Sequence, residues 1–410
     1  MPDDPLPVIG QVPPCVVVIG GGAAGFFCAV NAARLGAKVT LLEKTGKVLS
    51  KVRVSGGGRC NVTHACDSIP DMVRAYPRGG PFLKKAFSHF FVPQTISWFA
   101  ERGVPLKTEP DGRMFPVTDS SGTIIDCLVA EARRYDVQIR LNRDVSALER
   151  TLSGWRIRTS AEVLEAFSVV IACGGFPKAA QFSWLEALGH TVTPPLPSLF
   201  TFNLPGNALT QLMGVSVPDV QVRIPGTRLV EKGPLLITHW GCSGPVILRL
   251  SAWGATELAA RNYSFTCLVN WIPDQTPDFQ ALRRTSGSQP VSGKNVFGLP
   301  QRLWQFLVSF AGIAEDVRWG DLPAAGQQAL LRHLTAFELP VRGKTTFKEE
   351  FVTCGGIQRS EVDPATMQSR LQPNLFFAGE ILDVDGITGG YNFQYAWTSA
   401  WIAASAIVKQ

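Results

Sequence analysis

The sequence predicts an α/β fold in which both ends of the chain build one parallel sheet, interrupted by an inserted β-barrel-like unit and a small helical unit. Three observations predict it. Near the start, the β-branched run Cys15–Ile19 enters a glycine turn, Gly20–Gly25, which opens into a helical stretch, Phe26–Leu35, closed by Gly36; Lys38–Leu42 then reads as a second strand. That is one βαβ unit of about thirty residues. Two further apolar strands, Ser168–Ile171 and Leu375–Ala378, also run into glycine, at Gly174-Gly175 and Gly379. Between them the texture changes: Pro194, Pro195 and Pro197 suit neither a helix nor a central strand.

The remaining elements follow in order. Thr123–Arg134 reads as a helix and Gln138–Leu141 as a strand. Beyond the prolines, Leu199–Ala260 contains alternating segments such as Val220–Ile224 and Leu235–Thr238, expected as short strands, whereas Leu299–Leu339 carries Leu, Ala, Gln and Trp at helical spacing. Tyr391–Val408 is a long helix candidate, and its aromatics Phe393, Trp397 and Trp401 recur about once per turn, as core residues do. The expected domains are a discontinuous cofactor-binding unit, 1–190 with 345–410, and an insert, 191–344. The insert divides into a β part to about 270 and a helical part from about 271.

At 410 residues the chain exceeds one core, and its 18 % charged and 45 % hydrophobic residues describe a compact enzyme. The net charge is +6, carried by scattered cations and short pairs such as Arg133-Arg134 and Arg283-Arg284. No long basic run interleaves with aromatics, so nucleic acid is not an expected partner. Lys344 and Lys348 beside Glu349-Glu350 read as a solvated face. Nine cysteines include no C-x-x-C pair, which speaks against a dithiol or zinc ribbon and for a reducing cytoplasm. The stretch Cys15–Ala33 is uncharged, yet only acids, Asp3 and Asp4, precede it, and glycines interrupt it. It reads as a buried strand, turn and helix, so no membrane association is expected.

Gly20, Gly22 and Gly25 form G-x-G-x-x-G directly after a strand and before a helix. That is the dinucleotide fingerprint of a Rossmann-type unit: the first glycine permits the turn, the second admits a pyrophosphate, and the third lets helix meet strand. Glu43 ends the second strand about twenty residues on, where a carboxylate accepts hydrogen bonds from an adenosine ribose and repels a 2′-phosphate. FAD and NAD present the same adenosine diphosphate, so this fingerprint leaves both open.

Two further segments bear on the choice. Lys51–Thr63 reads KVRVSGGGRCNVT, and Gly355–Ala396 contains GGIQRSEVDP and LFFAGEILDVDGITGGYNFQYA. With GGGAAG near the start, they resemble the flavoprotein family of aminoacetone oxidases and bacterial bile-acid 3-oxo-4-ene reductases, within the glutathione-reductase-like FAD superfamily. GPLLITHWGCSGPVILRL, from Gly233 to Leu250, is similar to a segment of that family's inserted domain. The resemblance implies FAD as cofactor, held by Gly20, Gly22, Ala24, Gly25, Glu43, Lys44, Lys51, Ser55, Gly56, Gly57, Arg59, Cys60, Asn61, Val145, Gly174, Gly379, Glu380, Gly389, Gly390, Tyr391 and Asn392. In the superfamily an acid, often Asp, holds the ribityl chain at the position of Glu380. Cys173 stands where Thr is common, which removes a hydroxyl from that turn.

Read by themselves, these residues agree. Glu380 follows a strand at the carboxyl edge of the sheet, where ligands of α/β folds bind. Gly389-Gly390 precede a helix whose positive end favours anionic charge on a pyrophosphate or a reduced flavin. Successive glycine N–H groups from Ser55 to Arg59 make an anion nest or let a flat ring lie close. Two roles stay open for Arg59, ligand contact or clamp on a loop carboxylate, and two for Cys60, redox thiol or space-filler.

The chemistry expected is hydride transfer between flavin N5 and a small organic substrate, an amine or a conjugated carbonyl compound. Reducing a conjugated enone also requires a proton donor. His239, in THWGCSGP, and Tyr391 are the candidate catalytic residues; a histidine at a domain contact and an aromatic lid are their alternatives. With a single fingerprint, oxygen serves as acceptor or reduced nicotinamide, NAD(P)H, docks transiently as donor. Two rival functions stay open: an NAD dehydrogenase without flavin, and a non-catalytic flavin redox sensor or RNA-associated flavoprotein. No metal-ligand spacing occurs, and Gly241-Cys242-Ser243-Gly244 lacks a full nucleophile elbow.

Overall fold

The computed structural model describes residues 14–346 and 352–409. Asp3, Asp4, Lys348, Glu349 and Glu350 lie outside the described residues. The chain divides into two compact units, residues 1–197 with 347–410 and residues 198–346.

In the first unit, β1 (Cys15–Ile19), β2 (Lys38–Leu42), β3 (Gln138–Arg140), β4 (Ser168–Ile171) and β5 (Leu375–Phe377) form a sheet in the order β5-β4-β1-β2-β3. All four pairings are parallel. The central β1 is buried from Val16 to Ile19, as expected of a strand covered on both faces. The chain passes from β3 to β4 through an antiparallel meander, Val145–Thr151, Gly154–Thr159 and Val163–Ala166.

Helices cover the sheet. In α1 (Ala23–Arg34) every residue from Ala24 to Ala32 is buried, which its lack of charge before Arg34 permits. A second helix, α2 (Ser121–Arg134), is two-faced, with Ile124, Ile125, Leu128 and Ala132 inward. The C-terminal α3 (Tyr391–Val408) packs on α1, with the Phe27 and Trp397 rings 5.2 Å apart. Each fully buried aromatic of this kind stabilises by about 1.5–3 kcal/mol. Phe393 stacks on Trp397, and Trp401 stacks on Phe90; Trp397 is a core residue, and Phe393 and Trp401 are half-buried against the core.

A seam of buried polar groups fixes α3 against residues 62–64. Gln394 Oε1 accepts from Thr63 Oγ1 at 2.7 Å and Thr95 Oγ1 at 3.0 Å, and Trp397 Nε1 donates to Val62 O at 2.9 Å. Hydrogen-bonded pairs in an otherwise apolar interior specify one register, because a slip would leave each of them unsatisfied.

The second unit is built on a seven-stranded sheet whose recorded pairings are antiparallel. Its strands include Ser216–Arg223 and Val230–Ile237, close to the expected segments. Two expectations need correction. Pro245–Trp253 and Ala255–Ala260 are helices inside the β part. The helical stretch ends at Thr335, and Phe337–Arg342 is a strand paired with Ser264–Asn270. Its strict alternation of buried Phe337, Leu339 and Val341 with exposed neighbours is a two-residue period, masked in the sequence by the helix just before it. Among the described residues no helix is long and apolar enough to cross a membrane.

Candidate cofactor site

The carboxyl edge of the parallel sheet gathers most of the expected cofactor residues. Gly20 adopts φ +117°, and a Cβ there would stand 2.3 Å from Ala172 O; a Cβ on Gly25 would stand 1.8 Å from Gly20 O. These two glycines are needed by the protein's own packing. Gly22 is not: its backbone is extended, with φ −89° and ψ −169°, and a Cβ would meet nothing within 4 Å. It opens ground in front of α1, whose N-terminus has no side-chain cap and therefore offers N–H groups to an anion.

Beside this turn, Glu43 Oε2 accepts from Gly21 N–H at 2.8 Å, while Oε1 accepts from the N–H and hydroxyl of Thr45, both at 2.8 Å. Two carboxylate oxygens offer about four acceptor positions, so capacity remains for ribose. Glu43, Lys44 and Val145 line a cavity of about 260 Å³ together with Arg143, Phe176 and Trp184. The last three were not among the expected residues. For Arg143 and Phe176 the signal was positional, since residues 142–145 leave β3 and residues 173–176 leave β4 at the same sheet edge; Trp184, in the short helix Ser183–Glu186, carried none.

The C-terminal contribution meets the N-terminal one directly. A Cβ on Gly379 would stand 2.9 Å from the Ala24 Cβ at the start of α1. The next residue, Glu380, accepts from Lys51 Nζ through Oε2 at 2.8 Å and from Thr353 N–H through Oε1 at 2.8 Å. Gly174-Gly175 pass beside it, since a Cβ on Gly175 would stand 3.0 Å from Glu380 Oε1. Glu380 does not line the cavity at Glu43; the Gly379–Ala24 contact links the two.

The segment Ser50–Gly58 begins as a helix and breaks at Ser55, where ψ is 147°. Gly56, Gly57 and Gly58 then take φ of 57°, 69° and 86°, and a Cβ on Gly57 or Gly58 would meet nothing within 4 Å. The expected glycine nest is thus present as an open left-handed turn. For Arg59 the geometry selects the clamp. Its guanidinium donates to Glu109 at 2.6 Å, lies 3.5 Å from Asp119 and covers the Phe115 ring at 4.0 Å. For Cys60 it selects the space-filler: the side chain has no exposure, and burial pushes the thiol up to about 12 despite a hydrogen bond with Ser55.

The loop before α3 is held at several points. Arg78 grips Asp385 with two hydrogen bonds, and Ile387 N–H donates to Ala75 O at 2.9 Å. Asn392 uses both ends of its carboxamide on Gly386, accepting at 2.8 Å and donating at 2.9 Å. These two bonds fix the side chain of Asn392 on the loop. His64 Nδ1 lies 3.0 Å from Gly389 O, and its ring stacks on Tyr391 at 4.6 Å. Burial lowers the His64 imidazole below its ordinary range, partly opposed by the Gly389 carbonyl. Tyr76 OH donates to Tyr391 O at 2.6 Å. Tyr391 therefore sits at the head of α3 with its ring and carbonyl both fixed. His239 belongs to the second unit, exposed in the turn between Ile237 and Gly241, its ring edge-on to Trp240 at 4.3 Å.

FAD fits these residues. Open ground fronts α1 at Gly22, a cavity adjoins Glu43, and two buried polar atoms, Asn61 Oδ1 and Thr353 Oγ1, lack partners among the described residues. Unsatisfied buried groups at one edge of a nucleotide fold are what a bound ligand completes.

Comparison with known proteins agrees. The family model for the HI0933-like protein Rossmann domain matches residues 14–406. The chain is 32 % identical over 404 residues to a ribosomal RNA dihydrouridine synthase of Escherichia coli, covering 96 % of this chain and 97 % of that protein. It is 27 % identical over 412 residues to a 3-dehydro-bile acid delta(4,6)-reductase of Clostridium scindens, covering 96 % and 98 %. Among solved structures, the 3-ketosteroid-delta4-(5alpha)-dehydrogenase of Rhodococcus jostii superposes with a TM-score of 0.51 at 15 % identity, covering 98 % of this chain and 99 % of that one, a likeness of fold. The chain belongs to the HI0933-like Rossmann family, and it is an FAD-dependent oxidoreductase.

Proposed function

We propose that this oxidoreductase saturates a carbon–carbon double bond conjugated to a carbonyl, and that the bond lies in a uracil ring of ribosomal RNA. The observation that carries this is the pair of whole-length relatives. One is named for making dihydrouridine, at 32 % identity, and the other for reducing a bile-acid double bond, at 27 %. Both reactions saturate a C=C activated by a carbonyl. Of the substrates left open by the sequence, the conjugated carbonyl is the one the two names share. A uracil substrate does not require a long basic tract, because an enzyme acting on one base takes it out of the stack. Scattered cations with a net charge of +6 support modest phosphate contact.

When bound and reduced, FAD would supply the hydride taken up by the carbon β to the carbonyl. Gly22 and the first turn of α1 would hold the diphosphate, Glu43 the ribose, and Glu380, braced by Lys51 and Thr353, the ribityl chain. The positive end of α3 favours negative charge on the reduced ring. A proton must also reach the carbon α to the carbonyl. We assign that donation to the Tyr391 hydroxyl, with His239 as the second candidate. Reduced nicotinamide, docking transiently, is the electron source.

The test is anaerobic incubation of the holoprotein with NADPH or NADH and unmodified ribosomal RNA, read by mass spectrometry of the nucleosides. A gain of two hydrogens at a uridine is expected. Reduction of a steroid enone with no change in RNA would move the substrate to the bile-acid class, and no turnover of either overturns the reading. Tyr391→Phe should keep its FAD and lose roughly 100- to 10,000-fold in rate, the range for a lost general acid. Unchanged turnover removes Tyr391 from proton transfer, and the same result in His239→Ala removes His239.

A further inference from the structure

We propose that Asn61 reads the pyrimidine edge of the flavin: its carboxamide oxygen accepts a hydrogen bond from N3–H, beside the N–H groups at the head of α3 that take the neighbouring C2=O. Three observations combine. Asn61 is 9 % exposed, and its Oδ1 is buried with no hydrogen-bond partner among the described residues. That oxygen points at the head of α3, because a Cβ on Gly390 would stand 2.8 Å from it. Gly390 is the N-cap of this 18-residue helix, in left-handed conformation at φ 96°, with no side-chain cap. A lone acceptor thus adjoins uncapped donors, a pairing that one apolar group or one anion would leave half satisfied.

The backbone on both sides of Asn61 is held in place. On one side Cys60 N–H donates to Ser55 O at 3.0 Å, and on the other Val62 N–H donates to Met114 O at 2.9 Å. Val62 O and Thr63 Oγ1 are themselves bonded to Trp397 and Gln394. Leaving a buried amide oxygen unpaired is costly, so a site that retains one is built for a donor arriving with a ligand. The isoalloxazine edge runs acceptor, donor, acceptor, through C2=O, N3–H and C4=O. Only N3–H suits a carboxamide oxygen, and its C2=O neighbour suits a helix N-terminus. A reversed carboxamide would present Nδ2 to a carbonyl instead, and the two orientations shift N3–H ionisation in opposite directions.

The experiment reconstitutes apoprotein with FAD and with 3-methyl-FAD, in which N3 carries no hydrogen, and follows N3–H ionisation by absorbance against pH. Wild type should bind 3-methyl-FAD about tenfold or more weakly than FAD, the worth of one such hydrogen bond. Asn61→Ala, which opens space for the methyl, should bind the two alike and ionise N3–H at lower pH than wild type. Asn61→Asp keeps an acceptor and adds negative charge, so N3–H should ionise at higher pH than wild type. Wild type binding both flavins equally overturns the proposal, as does an N3–H ionisation that rises in Asn61→Ala. Should the alanine variant fail to fold, the wild-type comparison and the aspartate variant decide. These readouts are of binding and ionisation, so failure of the uracil reading leaves them intact.

Discussion

Replacing Gly22 by alanine separates a glycine kept for the ligand from one kept for the fold. In the protein alone the substitution is nearly free. The backbone at φ −89° and ψ −169° lies where alanine is at ease, and the methyl meets nothing within 4 Å. Reduced freedom of the unfolded chain contributes about 0.4–1 kcal/mol, and the poorer N-cap costs about the same. The apoprotein Tm should therefore stay within about 3 °C of wild type. With FAD the same methyl occupies the approach to the diphosphate. Losing one charge-assisted hydrogen bond, about 1.5–3 kcal/mol, raises the FAD Kd roughly ten- to hundredfold. Gly25→Ala is the control: its Cβ would stand 1.8 Å from Gly20 O, and forcing helix from strand there costs about 3 kcal/mol or more. Scanning calorimetry of apoprotein and flavin-fluorescence titration give both numbers. If Gly22→Ala binds FAD as wild type does, the diphosphate lies elsewhere and the cradle is misread.

Three further outcomes follow from the same geometry. His190 is buried, with Nδ1 2.9 Å from Glu361 and Nε2 3.0 Å from Ser369 Oγ, while Ser369 Oγ also accepts from Leu371 and Gln372 N–H. The serine hydrogen must then point at Nε2, so the ring is neutral, and burial lowers its pKa despite Glu361. A histidine held neutral in the fold takes up a proton on unfolding; stability present at neutral pH should fall as pH drops through about 6.5. His190→Ala, which orphans both partners at a cost of about 2 kcal/mol or more, should flatten that part of the profile in urea titrations; an unchanged profile refutes the assignment. Arg59→Ala should lower the Tm of the apoprotein while keeping yellow colour, because its partners are Glu109, Asp119 and Phe115; loss of flavin at unchanged stability would restore Arg59 as a ligand. Cys60→Ala should leave the reductive titration of the flavin unchanged, and native Cys60 should resist thiol reagents, since a buried thiol carries no useful thiolate.

How far the sequence reaches depends on whether the deciding contact is local. The bounds of β1, β2, β4 and α3 agree with the sequence because each is set within a few residues: a short apolar run closed by glycine or, for β2, by Glu43, or an 18-residue run begun by Gly389-Gly390. Phe337–Arg342 was missed although its alternation is plain, because it follows the helix Ala324–Thr335 with a single residue between and its pairing partner lies some seventy residues back. The loop before α3 was less legible still. Arg78 and Asp385, or Tyr76 and Tyr391, are separated by 307 and 315 positions, and composition carries no trace of such a meeting.

Two asparagines state the limit most sharply. Asn61 and Asn392 both stood out in the sequence as flavin contacts, with nothing in residue type to separate them. In the fold, Asn392 has both ends of its carboxamide committed to Gly386, whereas the Asn61 oxygen has no partner among the described residues. A polar group that is buried and unsatisfied has been carried at a cost. The same test divides Gly25 from Gly22, since the first has its missing side chain explained by Gly20 O and the second has nothing in the protein to explain it. What the folded chain leaves unused at Asn61 and Gly22 is a property of the fold that a sequence motif cannot report.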